Sequence, residues 1–204
     1  MKKILLTIST AVLILVFIII SNNVTRTSET NKSLSIGGMA GTNTRNCMMS
    51  LQAEDSMKFI SSQITVNGDV DNPLILNVDS LRKMKVVTIE NFKVICQSGA
   101  ETKENKTCKG VLLRDILDKA KISQSDHKDR NFYIVARATD NYKATFSWAE
   151  IYNNPTGDNV YVLFEENEQP IKEQGDMILI CKNDIKTGPR HVYWLKNIEV
   201  KRVD

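Results

Sequence analysis

The chain is poor in histidine, with two in 204 residues, His127 and His191. That scarcity excludes a histidine-rich zinc site and leaves a Ser-His-Asp triad little to build from. A charge imbalance is also missing: 27 Lys and Arg stand against 24 Asp and Glu, for a formal net charge of +3. The basic residues are scattered, with no stripe and no interleaving with aromatics, which argues against nucleic acid as a partner. At most, such a surface favours small anions. No internal repeat is evident. Cysteine is sparse, at positions 47, 96, 108 and 181, and none follows the N-terminal apolar run closely enough for a lipoprotein anchor.

What is present fits an ordinary globular protein, with 42% hydrophobic and 25% charged residues. Lys2 and Lys3 precede Ile4 to Ile20, a run without charge. As a helix it would reach roughly 25 Å, near the lower limit for a bilayer span. Residues 1–21 therefore read as a signal peptide or an N-terminal membrane anchor. Ile18 to Asn23 offers the small residues of a cleavage site poorly, which argues against cleavage. Both readings place the remainder outside the cytoplasm, either membrane-anchored or secreted. Residues 22–58 read as a polar linker rich in Asn, Thr, Ser and Gly. Cys47-Met48-Met49 within it reads as packing in preference to a soft-metal site. Residues 59–204 are long enough for one domain with its own core.

Within that domain the pattern is β-rich. Ile64 to Gly68, Pro73 to Leu76, Val86 to Cys96, Val160 to Phe164, Met177 to Cys181 and Val192 to Val200 read as strands. Phe132 to Ala138 and Tyr142 to Phe146 read as a hairpin about Asp140-Asn141. Asn77 is placed to cap a short helix carrying Leu81 and Met84. The clearest helix covers Val111 to Ala120, with Leu112, Leu113, Ile116, Leu117 and Ala120 on one face. Trp148 to Tyr152 reads as a helical turn. Many short strands with a few short helices predict an α+β domain with mixed sheets.

Five segments occur in an informative order: Val94-Ile95-Cys96-Gln97-Ser98-Gly99, Lys109-Gly110-Val111-Leu112-Leu113, Asp140-Asn141-Tyr142, Glu168-Gln169-Pro170-Ile171 with Gly175, and Gly188-Pro189-Arg190-His191-Val192-Tyr193-Trp194-Leu195 running into Ile198-Glu199-Val200. In order and spacing they resemble the molybdopterin-binding domain of the sulfite oxidase family, from about Ile64 to Val200. The resemblance implies that family's fold, a molybdenum–molybdopterin cofactor, and oxygen-atom transfer on a small oxyanion or oxide. It makes Cys96 the metal ligand, since a soft thiolate suits molybdenum. Arg190, His191 and Tyr193 become candidate cofactor contacts. The implied partners are a small-molecule substrate and a membrane electron carrier.

The chain departs from the family's pattern at several cationic positions. Gln97-Ser98-Gly99-Ala100 replaces an arginine-rich sequence after the cysteine, and Gln174-Gly175 replaces a His-Gly step. Leu179 stands at an arginine position and Tyr193 at a lysine position. These losses remove donors suited to a phosphate. Cys108 supplies a competing reading. Gln97 to Thr107 reads as a loop, and in an oxidising compartment Cys96 and Cys108 would pair, which denies the metal its thiolate. Two functions therefore stay open: a molybdenum-dependent oxidoreductase, or a cofactor-free extracytoplasmic binding module with a Cys96–Cys108 disulfide. Cys181 reads as a buried small hydrophobe, and His127 as a solvated loop residue.

Overall fold

The computed structural model describes residues 59–102 and 104–203. The N-terminal apolar run, the linker and Cys47 lie outside the described residues. Among the described residues no helix is long and apolar enough to cross a membrane.

The domain is β-rich, as the alternating segments predict. Its first sheet is formed by β1 (Ile64–Gly68), β2 (Leu74–Leu76), β5 (Phe132–Ala138), β6 (Lys143–Ser147) and β10 (Leu195–Arg202), in the order β2-β1-β10-β5-β6. The β1–β10 pair is parallel and the other pairs are antiparallel, so the sheet is mixed. The second sheet runs β3 (Val86–Phe92), β4 (Lys106–Leu112), β7 (Val160–Glu166), β8 (Gln169–Pro170), with β9 (Ile178–Cys181) also paired to β7. Three short helices complete the set: α1 (Val78–Arg82), α2 (Leu113–Ala120) and α3 (Trp148–Tyr152). The Asn77 side chain accepts from the Ser80 N–H at 2.8 Å and starts α1 as expected. Ser147 and Glu150 form a capping box on α3, satisfying two orphan donors reciprocally.

The main core lies where one face of each sheet meets α2. Leu113, Ile116, Leu117 and Ala120 are all fully buried, the apolar stripe read from the sequence. Each large aliphatic among them contributes about 1.5–3 kcal/mol by leaving water. Val162 and Phe164 join this core, whereas Leu163 between them turns to a second cluster with Ile89, Phe92, Val94, Cys108, Ile178 and Ile180. Alternation along β7 and β9 thus feeds two cores, which is why both segments read as continuous apolar runs.

Three expectations are corrected. The expected helix from Val111 begins at Leu113, because Val111 and Leu112 end a strand. That strand, β4, takes in the last two residues of the segment read as a loop, Lys106 and Thr107, and the first two of the expected helix. Lysines and Gly110 mask it, yet it pairs with β3 on one side and β7 on the other. Gly110 is required there: a Cβ would stand 2.4 Å from the Val162 carbonyl oxygen. The last strand starts at Leu195 rather than Val192. Trp194 takes a left-handed φ of 47°, which breaks the extended run just before it.

Candidate functional site

Cys96 follows β3 in a tight reversal. Ile95 bridges to Glu101, the Cys96 N–H donates to the Ala100 carbonyl at 2.8 Å, and the Gly99 N–H returns to the Cys96 carbonyl at 2.9 Å. Gly99 supplies the positive φ of 91° that this turn needs. The reversal is fastened to the C-terminal motif by Thr187, which is buried. The Ile95 N–H donates to Thr187 Oγ1 at 2.8 Å, and that hydroxyl donates to the Lys93 carbonyl at 2.9 Å. The Gly188 N–H then donates to the Ile95 carbonyl at 2.9 Å. Segments nearly a hundred residues apart in sequence are therefore one structural unit. Thr187 carries no signal that sequence reading could have singled out, since its role exists only once the loop is beside it.

His191 and Tyr193 extend from this unit over the second core. The His191 ring lies 4.4 Å from the Tyr193 ring and 5.9 Å from Phe92. Only 5% of His191 is exposed, and neither Nδ1 nor Nε2 has a hydrogen-bond partner. Burial, with the Lys106 ammonium as the smaller cause, pushes its pKa down to about 3, so the imidazole is neutral. Burial, then the nearby Glu166 carboxylate, pushes the Tyr193 phenol up to about 12. Lys106 Nζ is held by Glu166 at 2.5 Å. The Glu166 Oε1 and Gln174 Oε1 atoms are also buried without partners. The backbone at Gln174 is tied into the motif, its carbonyl accepting from the Trp194 N–H at 2.7 Å. Gly175 packs so closely there that a Cβ would meet the Trp194 Cα at 2.8 Å.

Arg190 is placed differently from His191. Its Nε and Nη2 clamp Asp184 at 2.7 and 2.5 Å, and Nη1 donates to Glu150 on α3 at 2.9 Å. The guanidinium also lies 4.5 Å over the Phe146 ring. The Asp184 hydrogen bonds raise its pKa further above the ordinary arginine value. Arg190 thus fixes the loop to α3 and β6, and its donors are already committed.

The cysteines separate clearly. Cys108 is a free, fully buried thiol in the middle of the second sheet, so the expected Cys96–Cys108 disulfide is not formed. It faces Ile89, Phe92 and Leu163, because the hidden strand β4 carries it into the second core rather than into a loop beside Cys96. Burial pushes Cys108 up to about 12, which leaves it a neutral thiol at neutral pH. Cys181 is also free and buried, as its apolar strand predicts. Cys96 is itself disulfide-bonded, to neither Cys108 nor Cys181. Among the described residues no group of three or more His, Cys, Asp or Glu could hold a metal ion. A metal at this site would therefore take a single protein sulfur and its remaining ligands from a cofactor.

Three buried polar atoms of the site bear on such a cofactor. A buried donor or acceptor left unmade costs about 1–3 kcal/mol. Two nitrogens of His191 and Oε1 of Gln174 are in that state beside one motif. A ligand with both donor and acceptor edges, as a pterin has, would satisfy them. The donor chemistry fits a pterin; the Cys96 sulfur fits a soft metal once reduced.

Comparison with known proteins bears on the family and the fold. No curated protein matches the chain. The crystal structure of the sulfane dehydrogenase SoxCD from Paracoccus pantotrophus is similar in fold, with a TM-score of 0.52 at 17% identity. That match covers 75% of this chain and 40% of the SoxCD chain, so this chain spans well under half of that relative. The family model for the oxidoreductase molybdopterin binding domain matches residues 51–204. The sulfite oxidase-like fold, the paired sheets and the fastened motif thus have one source: this chain belongs to the oxidoreductase molybdopterin-binding domain family.

Proposed function

We propose that the domain binds a molybdenum–molybdopterin cofactor with Cys96 as the protein's metal ligand and serves oxygen-atom transfer on a small oxyanion or oxide. The observation that carries this reading is the fastening of the Cys96 reversal to residues 187–188 by Thr187 and Gly188. Among the described cysteines it sets Cys96 beside a motif in which both His191 ring nitrogens lack partners. When bound, the cofactor would supply the two-electron redox chemistry that no side chain here provides.

The chain's own residues have separable tasks in this reading. Cys96 holds the metal as a thiolate, which requires reduction of its present bond first. His191, neutral and enclosed by Phe92 and Tyr193, donates through one nitrogen and accepts through the other. Gln174 offers its amide in the same role. Tyr193 keeps its proton and acts as a donor. Arg190 positions the motif through Asp184 and Glu150 and does not itself reach a ligand. Export follows from the lysine-flanked apolar run at residues 2–20, and a membrane electron carrier is the corresponding redox partner.

A second reading has one specific observation in its favour. Cys96 is disulfide-bonded, so the oxidised protein is a cofactor-free binding module on the same scaffold. One experiment separates the two. The full chain is produced in a molybdenum-replete host and purified with and without reductant, then assayed for bound metal and for pterin fluorescence after acid release. Near-stoichiometric molybdenum that disappears in Cys96→Ser supports the enzyme. Pterin and metal both absent under reducing conditions would leave the binding module.

A further inference from the structure

We propose that the hollow between the C-terminal half of α2, residues 121–127 and α3 is a binding site for a small organic amine, an ammonium carried on a flat apolar body. The cavity measures about 450 Å³ and is lined by Leu117, Asp118, Asp126, Trp148 and Tyr152, with the Asp71–Lys121 pair at its edge. That volume falls within the range of small-ligand clefts, about 300–1,000 Å³. None of its lining residues belongs to the Cys96 reversal or to residues 186–194, so this site is separate from the cofactor region.

Its walls are preformed. The Asp71 N–H donates to the Lys121 carbonyl at 2.7 Å, and the Ser123 N–H donates to the Asp69 carbonyl at 3.0 Å. The Asp126 carboxylate accepts from the Lys128 and Asp129 N–H groups at 2.6 and 3.1 Å. Asp129 in turn accepts from the Ser125 N–H at 2.8 Å. A site whose backbone is already held loses little ordering entropy when a ligand enters.

Its chemistry is selective. Trp148 and Tyr152 stack at 4.9 Å with 26° between their planes and give a flat aromatic wall. Arg130 already sits 5.2 Å from the Trp148 centroid, an internal example of a cation on that ring. Burial, then the neighbouring Asp118, raises the pKa of the Tyr152 phenol, so the hydroxyl keeps its proton and stays a donor. Asp71 is paired with Lys121 at 2.6 Å and accepts from the Ser123 hydroxyl at 2.6 Å. Lys121 also lines the cavity but is held by Asp71, and among the described residues no ion pair joins a cation to Asp118 or Asp126. An anion is repelled there and a neutral apolar molecule leaves two carboxylates to desolvate, whereas an aromatic or cyclic amine answers both the wall and the charge.

The test uses the full chain with benzylamine as probe and with benzyl alcohol and benzoate as controls, followed by backbone amide shifts in NMR. Benzylamine should saturate and move the amides of residues 117–127 and 148–152, and benzoate should not. Asp118→Asn and Asp126→Asn keep hydrogen-bond acceptors at both positions, and each should weaken benzylamine roughly fivefold, the worth of one exposed ion pair. Absence of saturable binding overturns the proposal. So does equal binding of benzyl alcohol, wild-type affinity in both variants, or shifts confined to other surfaces. Because no metal enters the assay, its outcome is independent of whether Cys96 holds molybdenum.

Discussion

Arg190 and His191 are chain neighbours in the same motif, yet the fold treats them in opposite ways. Arg190 is surrounded by acceptors on Asp184 and Glu150 and stacked on Phe146. His191 is enclosed by Phe92 and Tyr193 with both nitrogens unmet. One region is finished as it stands; the other is complete only with something polar added. A finished polar cluster contributes rigidity, and an unfinished one is where a ligand gains its hydrogen bonds. The contrast gives the arginine an architectural role and leaves the histidine's ring nitrogens as the unmet polar atoms on which the proposed ligand contact rests.

The comparison can be broken most forcefully at the arginine. Arg190→Met leaves Asp184 and Glu150 without their cation, and chemical denaturation should show a loss of about 2–4 kcal/mol, discounted because the cluster is partly solvated. A loss below about 1 kcal/mol would mean that Arg190 is not the scaffold and is available to a ligand. His191 sharpens the other side through pH. Its folded pKa is depressed below the unfolded value near 6.5, so its neutral form supports the fold above that pH. Stability should fall as pH drops from about 6.5 toward 3, at up to about 1.4 kcal/mol per pH unit from this group. His191→Gln should remove that component, read as the difference between the two proteins' urea midpoints across pH. Identical pH profiles would show that the imidazole is solvated and reachable by protons in the fold.

Thr187 tests the fastening itself at a smaller cost. Thr187→Val keeps the shape and removes the hydroxyl shared by the Ile95 N–H and the Lys93 carbonyl. About 1–2 kcal/mol should be lost, with faster hydrogen exchange at Ile95 and little change in the first sheet. The smallest effect is chemical rather than energetic. In the denatured, unreduced protein, alkylation mapped by mass spectrometry should label Cys108 and Cys181, and should label Cys96 only after reduction. A crosslinked Cys96–Cys108 peptide would overturn the placement of β4.

Much of this domain was legible as local pattern. The stripe at Leu113, Ile116, Leu117 and Ala120, the alternating strands and the Asn77 cap each depend on residues within a turn or two of one another. The family was legible from five short segments in order. Strand β4 was not, because Lys106, Lys109 and Gly110 carry no alternating apolar signal. Its identity as a strand comes from β3 and β7 on either side. Cys108 followed from that: with no strand read across 106–112, a core thiol at the end of the 97–107 loop looks like a disulfide partner.

By itself, the sequence determined the elements and the family, since helical and extended periods are written in near neighbours and family motifs in ordered short runs. The tertiary structure alone decided which cysteine stands beside the C-terminal motif, which of two adjacent polar candidates is spent, and that Thr187 joins them. Those outcomes rest on contacts between residues 92, 94 and 40 positions apart. No local period encodes such distances; they come into being only when two sheets close on a shared core and bring separate loops to the same edge.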